Sequence, residues 1–421
     1  MPKSKRLGIL TVGMGAVSTT LFAGVEAVRR GLTPGVGSLT QMGHLPLVPA
    51  PGAASQSIQA LLDLAKLEDL VFGGWDLIEK NAYQAAVGAG VLTRSDLAKH
   101  RKFLKGIRSF PGVADPKFTT RIEAVHEKGI IGKLAQVNAI RADIRTFLQE
   151  NQCDRLVVIS CMSVEVFQPP QAVHDSLAKF EHGLAHDDPN ITPSQLYAYA
   201  VLSEGVPFIN GTPNTVVEAT AIKQLARREG LPLAGSDFKS GQTYIKTVIA
   251  GALRARLLGL SGWFSTNILG NRDGLVLEDP AAFEAKRVSK TSVLDDICDD
   301  DTYPELYDGI EHQVKIHHYG PRGDDKESWD SIDLFGWLGY GMQMKINFQC
   351  KDSILAAPLA LDLVLLTDLA ARQGESGVLE WLGFFFKSPG MKGKGKPSNN
   401  PAVQLPALEL ALRRLGRRKC K

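Results

Sequence analysis

Cysteine is scarce and badly placed for any framework. The five residues Cys153, Cys161, Cys298, Cys350 and Cys420 form no C-x-x-C pair. That excludes a disulfide scaffold and the common zinc spacings, and it fits a reduced, cytoplasmic chain. Long apolar runs are missing too. The most apolar late stretch, 354–369, is interrupted by Asp362 and Asp368, so it reads as a buried helix and not as a membrane span. The first strand starts near Leu7, which leaves no room for the charged and apolar regions of a secretory signal. No G-x-S-x-G, H-E-x-x-H or Walker pattern occurs, so nothing points to α/β-hydrolase, zincin or P-loop chemistry. Basic excess is confined to one end. From Lys387 onward ten Lys/Arg face the single acid Glu409, a charge of +9, so a total of +3 leaves −6 on the rest. Such a body is a poor nucleic-acid platform, and neither nucleic acid nor membrane is expected as a partner. The basic tail reads as a solvated, mobile end.

What is present is the composition of a soluble globular protein, 44% apolar and 22% charged, with length enough for two cores. Short apolar runs alternate with helical spacing. Leu7–Val12 ends at Gly13, and 16–30 has helical periodicity closing at Gly31. A strand over 69–74 precedes a helix from about Lys80; 117–150 is helical in pattern; Arg155–Ser160 is a buried strand; 193–204 is a helix and 206–209 a strand. That order predicts an α/β fold with a Rossmann-type doubly wound parallel sheet. From about 240 the pattern changes. Segments 262–267, 311–319 and 342–350 alternate apolar and polar residues and read as a mainly antiparallel or mixed sheet. A helix over 353–371 follows, then a Lys/Gly/Pro/Asn loop and a short helix over 403–415.

Gly13-Met14-Gly15-Ala16-Val17-Ser18 lies between the first strand and the first helix. Gly13 suits the tight turn, Gly15 lets the backbone approach a pyrophosphate, and the helix N-terminus faces the anion. Ser18 stands where the usual fingerprint has its third glycine. A purely structural glycine turn is the plain alternative, and the strand–helix context favours a dinucleotide. The ribose-binding acid expected about 20 residues on is missing, since no Asp or Glu lies between Glu26 and Asp63. Asp76, after the pair Gly73-Gly74, is the substitute, with a helix N-cap as its other reading. Arg29 and Arg30 are explained by the helix dipole, which favours NAD over NADP.

The densest cluster of small donor-bearing residues is Asp237-Phe238-Lys239-Ser240-Gly241-Gln242-Thr243, shortly after Asn210-Gly211-Thr212-Pro213-Asn214-Thr215. Such turns can surround a phosphate or oxyanion with N–H groups and set one cation against it. Lys239 in that setting is a candidate proton shuttle, because desolvation lowers a lysine's proton affinity. Lys290, among hydroxyls, and Lys387, after Phe384-Phe385-Phe386, are further candidates, with a solvated surface role as the ordinary alternative. Ser265, Asn267 and Asn271 end a strand with clustered polar groups that also suit a plain hairpin turn. Asp324 and Asp352-Ser353 stand at element ends, and the latter pair could equally cap a helix.

The segments GMGAVSTT, VFGGWD, NGTPNT, SDFKSGQT, STNILGNRDG, VSKTSVLDD, CKDSILAAPLALDL and FFFKSP occur in this order and spacing. Together they resemble the NAD-dependent myo-inositol-phosphate synthases, especially the shorter bacterial type, from about Leu7 to Pro389. The resemblance implies an isomerase (an intramolecular lyase) serving inositol and phospholipid biosynthesis. It oxidises glucose 6-phosphate at C5 with NAD, closes the ring by attack of a C6 enolate on the C1 aldehyde, and returns the hydride to C5, giving 1D-myo-inositol 3-phosphate. It assigns Lys239, Lys290 and Lys387 to catalysis. To the cofactor it assigns Gly13, Gly15, Ala16, Val17, Ser18, Asp76, Ser160, Ser163, Asn214, Asp237, Asp324, Asp352 and Ser353. To the sugar phosphate it assigns Ser240, Gln242, Thr243, Ser265, Asn267, Asn271 and Lys286. It implies a cytoplasmic homotetramer and leaves open a divalent or monovalent cation, with Ser292 and Asp296 as conceivable contacts. It divides the chain into a Rossmann unit over 1–205, a catalytic and oligomerisation α+β unit over 206–352, a return segment over 353–389 and a basic tail over 390–421.

The chain departs from the family pattern at named places. Tyr244 replaces a lysine after SGQT, although Lys246 is close in sequence. Ser160-Cys161-Met162-Ser163 replaces Thr-Ala-Asn-Thr and loses an amide at Met162. Ala16-Val17-Ser18 replaces Gly-Asn-Asn, and the tail after Gly390 has no assigned counterpart. Two other readings follow: a paralogue running the same NAD cycle on another sugar phosphate, or an NAD-binding protein without turnover. Retention of all three lysines opposes the second.

Overall fold

A computed structural model describes residues 6–46, 54–284, 293–299, 301–393, 395 and 397–417. Its larger sheet has seven strands in the order β13-β8-β7-β6-β1-β4-β5. These are β1 (Leu7–Val12), β4 (Leu70–Asp76), β5 (Ser109–Pro111), β6 (Arg155–Ser160), β7 (Phe208–Asn210), β8 (Pro232–Gly235) and β13 (Gly377–Val378). Every pairing is parallel. Strands covered on both faces read as unbroken apolar runs, and all six residues of β1 are buried. The chain runs from β1 outward through β4 and β5 and then crosses to β6 on the other side of β1. That reversal opens a crevice at the C-terminal ends of β1 and β6, where α/β sheets bind their ligands.

The smaller sheet has the order β10-β9-β11-β12, built from β9 (Gly259–Leu269), β10 (Glu311–His318), β11 (Asp325–Phe335) and β12 (Gly341–Lys351). It is mixed: β10 runs parallel to β9, and the other pairs are antiparallel. Burial alternates along β11, as the two-residue period requires. A minor antiparallel pair, β2 (His44–Pro46) and β3 (Ser55–Ser57), belongs to the segment between the first helix and β4.

Helix Asp352–Arg372 is apolar and long enough to span a membrane by composition, yet most of it is packed inside the molecule. Its fully buried Asp362 accepts hydrogen bonds from Ser38 Oγ, Leu39 N, Thr40 N and Thr40 Oγ1 at 2.6–2.8 Å. This carboxylate ties the 38–40 turn to the core helix.

Three expectations change. The division at 205/206 falls inside the parallel sheet, because β7 pairs with β6 and β8 with β7, and the chain leaves this sheet only after Gly235. The helix expected over 117–150 is confined to Lys133–Asn151; Gly129 and Gly132 just before it adopt φ of +60° and +93°, which a right-handed helix does not accommodate. The described part of the tail is packed, not a solvated end. Helix Pro401–Arg417 buries Gln404, Leu408, Ala411, Leu412 and Leu415, an amphipathic spacing that presents one face to the core.

Candidate active site

The crevice begins at the turn after β1. Gly13 has φ +86°, and a Cβ there would come within 2.7 Å of Met162 Cα and 2.9 Å of Cys161 O. Only glycine fits between these strand ends. Ser18, in the third fingerprint position, donates from Oγ to Gly13 O at 2.7 Å and so ties the turn from below. Helix Ala16–Arg29 starts at Gly15 without a side-chain cap, and no atom lies within 4 Å of where a Gly15 Cβ would be. Its first N–H groups therefore open onto a cavity of about 550 Å³. Uncapped N–H groups at a helix start favour an anion.

Asp76 ends β4, the strand beside β1, so it occupies the ribose-acid position although it lies far along the chain. Its Oδ2 accepts from Met14 N at 2.7 Å and its Oδ1 from Ile78 N at 2.9 Å. The following helix is capped by Asn81, so the N-cap reading of Asp76 does not hold. Ala16, Val17 and Ser163 also line the cavity. Ser160 does not: it is buried beneath, and its Oγ has no partner. Asn214 is likewise buried and structural, accepting from Glu165 N and donating to Ser163 O. Glu165 is a wall residue that no motif announces. It accepts from Ser194 N and Oγ, and burial pushes its carboxyl up to about 7.

The far wall is made where the chain returns. Residues 235–239 and 385–390 zip together through Ser236 N to Ser388 O (2.7 Å), Lys387 N to Asp237 O (2.8 Å) and Lys239 N to Phe385 O (2.8 Å). Asp237 holds a left-handed φ of 61°, and its Oδ1 lies 3.0 Å from Lys387 Nζ. Both line the cavity, with Phe238 and Ser240. Lys239 projects away from that lining. Its Nζ meets Gln404 Oε1 at 2.5 Å and Asn399 Oδ1 at 3.4 Å. Burial pushes its amine down to about 7, opposed by the charge of Asp296. Asn399 also donates to Lys387 O at 3.0 Å, which bridges the two lysine-bearing segments.

The smaller sheet supplies a third group. Asp352 accepts from Ser240 Oγ at 3.0 Å and from Lys326 Nζ at 3.1 Å. Asp324 Oδ1 accepts from Asn271 and Ser353, while its Oδ2 is buried without a partner, and burial raises its pKa. Asn267 is fully buried, and neither amide atom has a partner. Asn267 and Asp324 both lie outside the lining of the cavity, as Ser160 does.

Gln242, Thr243 and Ser265, expected at the sugar phosphate, lie outside the lining of the cavity. Gln242 and Ser265 bond Asp330 at 2.9 and 2.5 Å, and Thr243 is buried beside them in helix Gly241–Ala255. The alternation of β9 and β11 turns Ser265 and its cross-strand neighbour Asp330 toward that helix. Lys246 lies there too, at 2.9 Å from Ser265 Oγ and 2.8 Å from His312 Nε2. Tyr244, in place of the family's lysine, is half-exposed and packs edge-on against Phe384. Lys286, Lys290 and Ser292 lie outside the described residues. Among the described residues no three His, Cys, Asp or Glu gather as a metal site.

A family model described as myo-inositol-1-phosphate synthase matches residues 7–413. The chain belongs to the myo-inositol-1-phosphate synthase family. It is 44% identical over 416 residues to inositol-3-phosphate synthase 1 of Bacteroides thetaiotaomicron, covering 98% of this chain and 96% of that one. It is 34% identical over 387 residues to inositol-3-phosphate synthase 1 of Oryza sativa subsp. japonica, covering 87% of this chain and 75% of that one. The crystal structure of inositol-3-phosphate synthase from Caenorhabditis elegans superposes with a TM-score of 0.91 at 26% identity, covering 98% of this chain and 86% of that one. The family match runs through most of helix Pro401–Arg417, so this segment is part of the synthase unit and not an appendage. NAD is the family's cofactor, and the residues present fit it: a glycine that no other residue can replace, an uncapped helix start and an acid on the neighbouring strand.

Proposed function

We propose that this chain is an inositol-3-phosphate synthase, converting D-glucose 6-phosphate to 1D-myo-inositol 3-phosphate. One observation carries the reading: the crevice with the NAD fingerprint is walled by the same two segments that carry Lys239 and Lys387. Held there, NAD would supply a reversible hydride acceptor, with no net oxidation over the cycle. Gly13, the free N–H groups of the first helix and Asp76 hold the dinucleotide. Lys387, in the crevice beside Asp237, carries positive charge to a phosphate or developing oxyanion. Lys239, whose amine burial brings down to about 7, moves the proton of a sugar hydroxyl. Asp352 and Asp324 fix Ser240, Asn271 and Ser353 around the opening.

The reading includes a cytoplasmic homotetramer. Free cysteines support a reducing compartment. Assembly is supported by β12, an edge strand whose Met342 and Met344 are exposed, beside Trp337, Leu338 and Tyr340 at 88, 80 and 74% exposure. A bare apolar edge of this kind is normally covered.

Incubating the pure protein with NAD and glucose 6-phosphate and following phosphorus NMR tests the activity. Inositol phosphate is expected. A different cyclised product would make the chain a paralogue, and unchanged substrate beside bound NAD would remove turnover.

A further inference from the structure

Two side chains from the C-terminal segment reach Lys239, and both are neutral carboxamides. Their orientation is fixed by what their NH₂ groups bond. Gln404 Nε2 donates to Gly383 O at 3.0 Å and to Ser398 O at 2.6 Å. Asn399 Nδ2 donates to Lys387 O at 3.0 Å. Both carbonyl oxygens are thereby turned to Lys239 Nζ. The supporting frame is rigid: Leu408, Leu412 and Leu415 lock the helix of Gln404 into the core, and Asn399 N donates to Asp296 Oδ2 at 2.7 Å.

We propose that Gln404 and Asn399 are positioning residues for Lys239, a clamp of neutral oxygens that holds its amine in one place with or without the transferred proton. The inference rests on Lys239 being the proton shuttle proposed above. An ammonium has three N–H donors and an amine two, so both forms can satisfy two acceptor oxygens. A carboxylate at either position would favour the charged form and keep the proton on. The charged groups around the clamp are consistent with this division. Asp296 attracts the ammonium through space, and its Oδ2 accepts from Ser398 Oγ and Asn399 N. The Lys387–Asp237 pair flanks the clamp on the zipped segments.

The test is Gln404→Glu, a near-isosteric change that alters the acceptor's charge. If Lys239 must be neutral to accept a proton, kcat rises with pH through its pKa. The added carboxylate moves that limb to higher pH by about one unit or more. A limb that does not move overturns the clamp. If Gln404→Glu no longer binds NAD, Gln404→Met decides: a fall in kcat of roughly tenfold or more with unchanged NAD affinity supports it, and wild-type kcat overturns it. Competitive amine labelling, read by peptide mass spectrometry against pH, gives the Lys239 midpoint without turnover. A midpoint that shifts in Gln404→Glu of a wild type that converts no glucose 6-phosphate upholds the clamp while the activity reading fails; an unshifted midpoint overturns the clamp alone.

Discussion

Two buried lysines seven residues apart in sequence live in different chemistry. Lys239 is held by two carboxamides beside segments that wall the crevice. Lys246, on the following helix, faces the smaller sheet, where its Nζ meets Ser265 and His312 and lies 5.1 Å from the centre of the Trp263 ring. Burial depresses both amines, to about 7 and about 8. A lowered proton affinity alone therefore does not mark a proton shuttle. What separates them is position. The residues on either side of Lys239, Phe238 and Ser240, line the crevice, whereas Lys246 joins Ser265 and Asp330 in a hydrogen-bonded network on the smaller sheet.

Replacing each lysine in turn should break or sharpen this distinction. Lys239→Met is expected to lower kcat by roughly 10²–10⁴-fold with NAD binding retained, as for loss of a proton-transfer group. Lys246→Met should cost no more than about tenfold, through packing of the sheet behind the site. Equal losses in steady-state kinetics would erase the contrast. Next in size is a stability effect. Asp362→Ala, whose hydrogen-bond partners are Ser38, Leu39 and Thr40, should cost about 2–3 kcal/mol in denaturant unfolding by stranding those donors, with kcat per folded molecule unchanged. Separate from it is the pH effect at Lys239. Its folded pKa near 7 lies below the ordinary 10.5, so the unfolded chain holds a proton that the folded chain resists. The folding penalty is full below about pH 7 and fades as pH rises toward 10.5. Lys239→Met should therefore raise Tm at pH 6 and lose that gain toward pH 10; a constant gain would place the amine outside this titration.

The crevice was legible because its determinants are local. A glycine turn between strand and helix depends on neighbours within a few residues, and Asp76 follows a glycine pair at a strand end. The lysine end was legible only in part. The motifs singled out Lys239 and Lys387, but not which way each side chain turns; Ser265 was expected at the substrate although pleat alternation directs it to Asp330, and Gln242 meets the same carboxylate from the facing helix. Asn399 and Gln404 were hidden because their partner is Lys239, 160 and 165 residues away. The helix over 403–415 was legible, but the basic charge around it suggested a solvated end where Leu408, Leu412 and Leu415 pack into the core.

The account's central claim is that one crevice runs a closed hydride cycle on a sugar phosphate. It is tested most directly by feeding glucose 6-phosphate deuterated at C5 with catalytic NAD and following the label by NMR. The account predicts inositol phosphate that keeps its deuterium at the corresponding ring carbon, with no accumulated NADH. Product that has lost the label, or reduced cofactor released in step with substrate consumed, would contradict it.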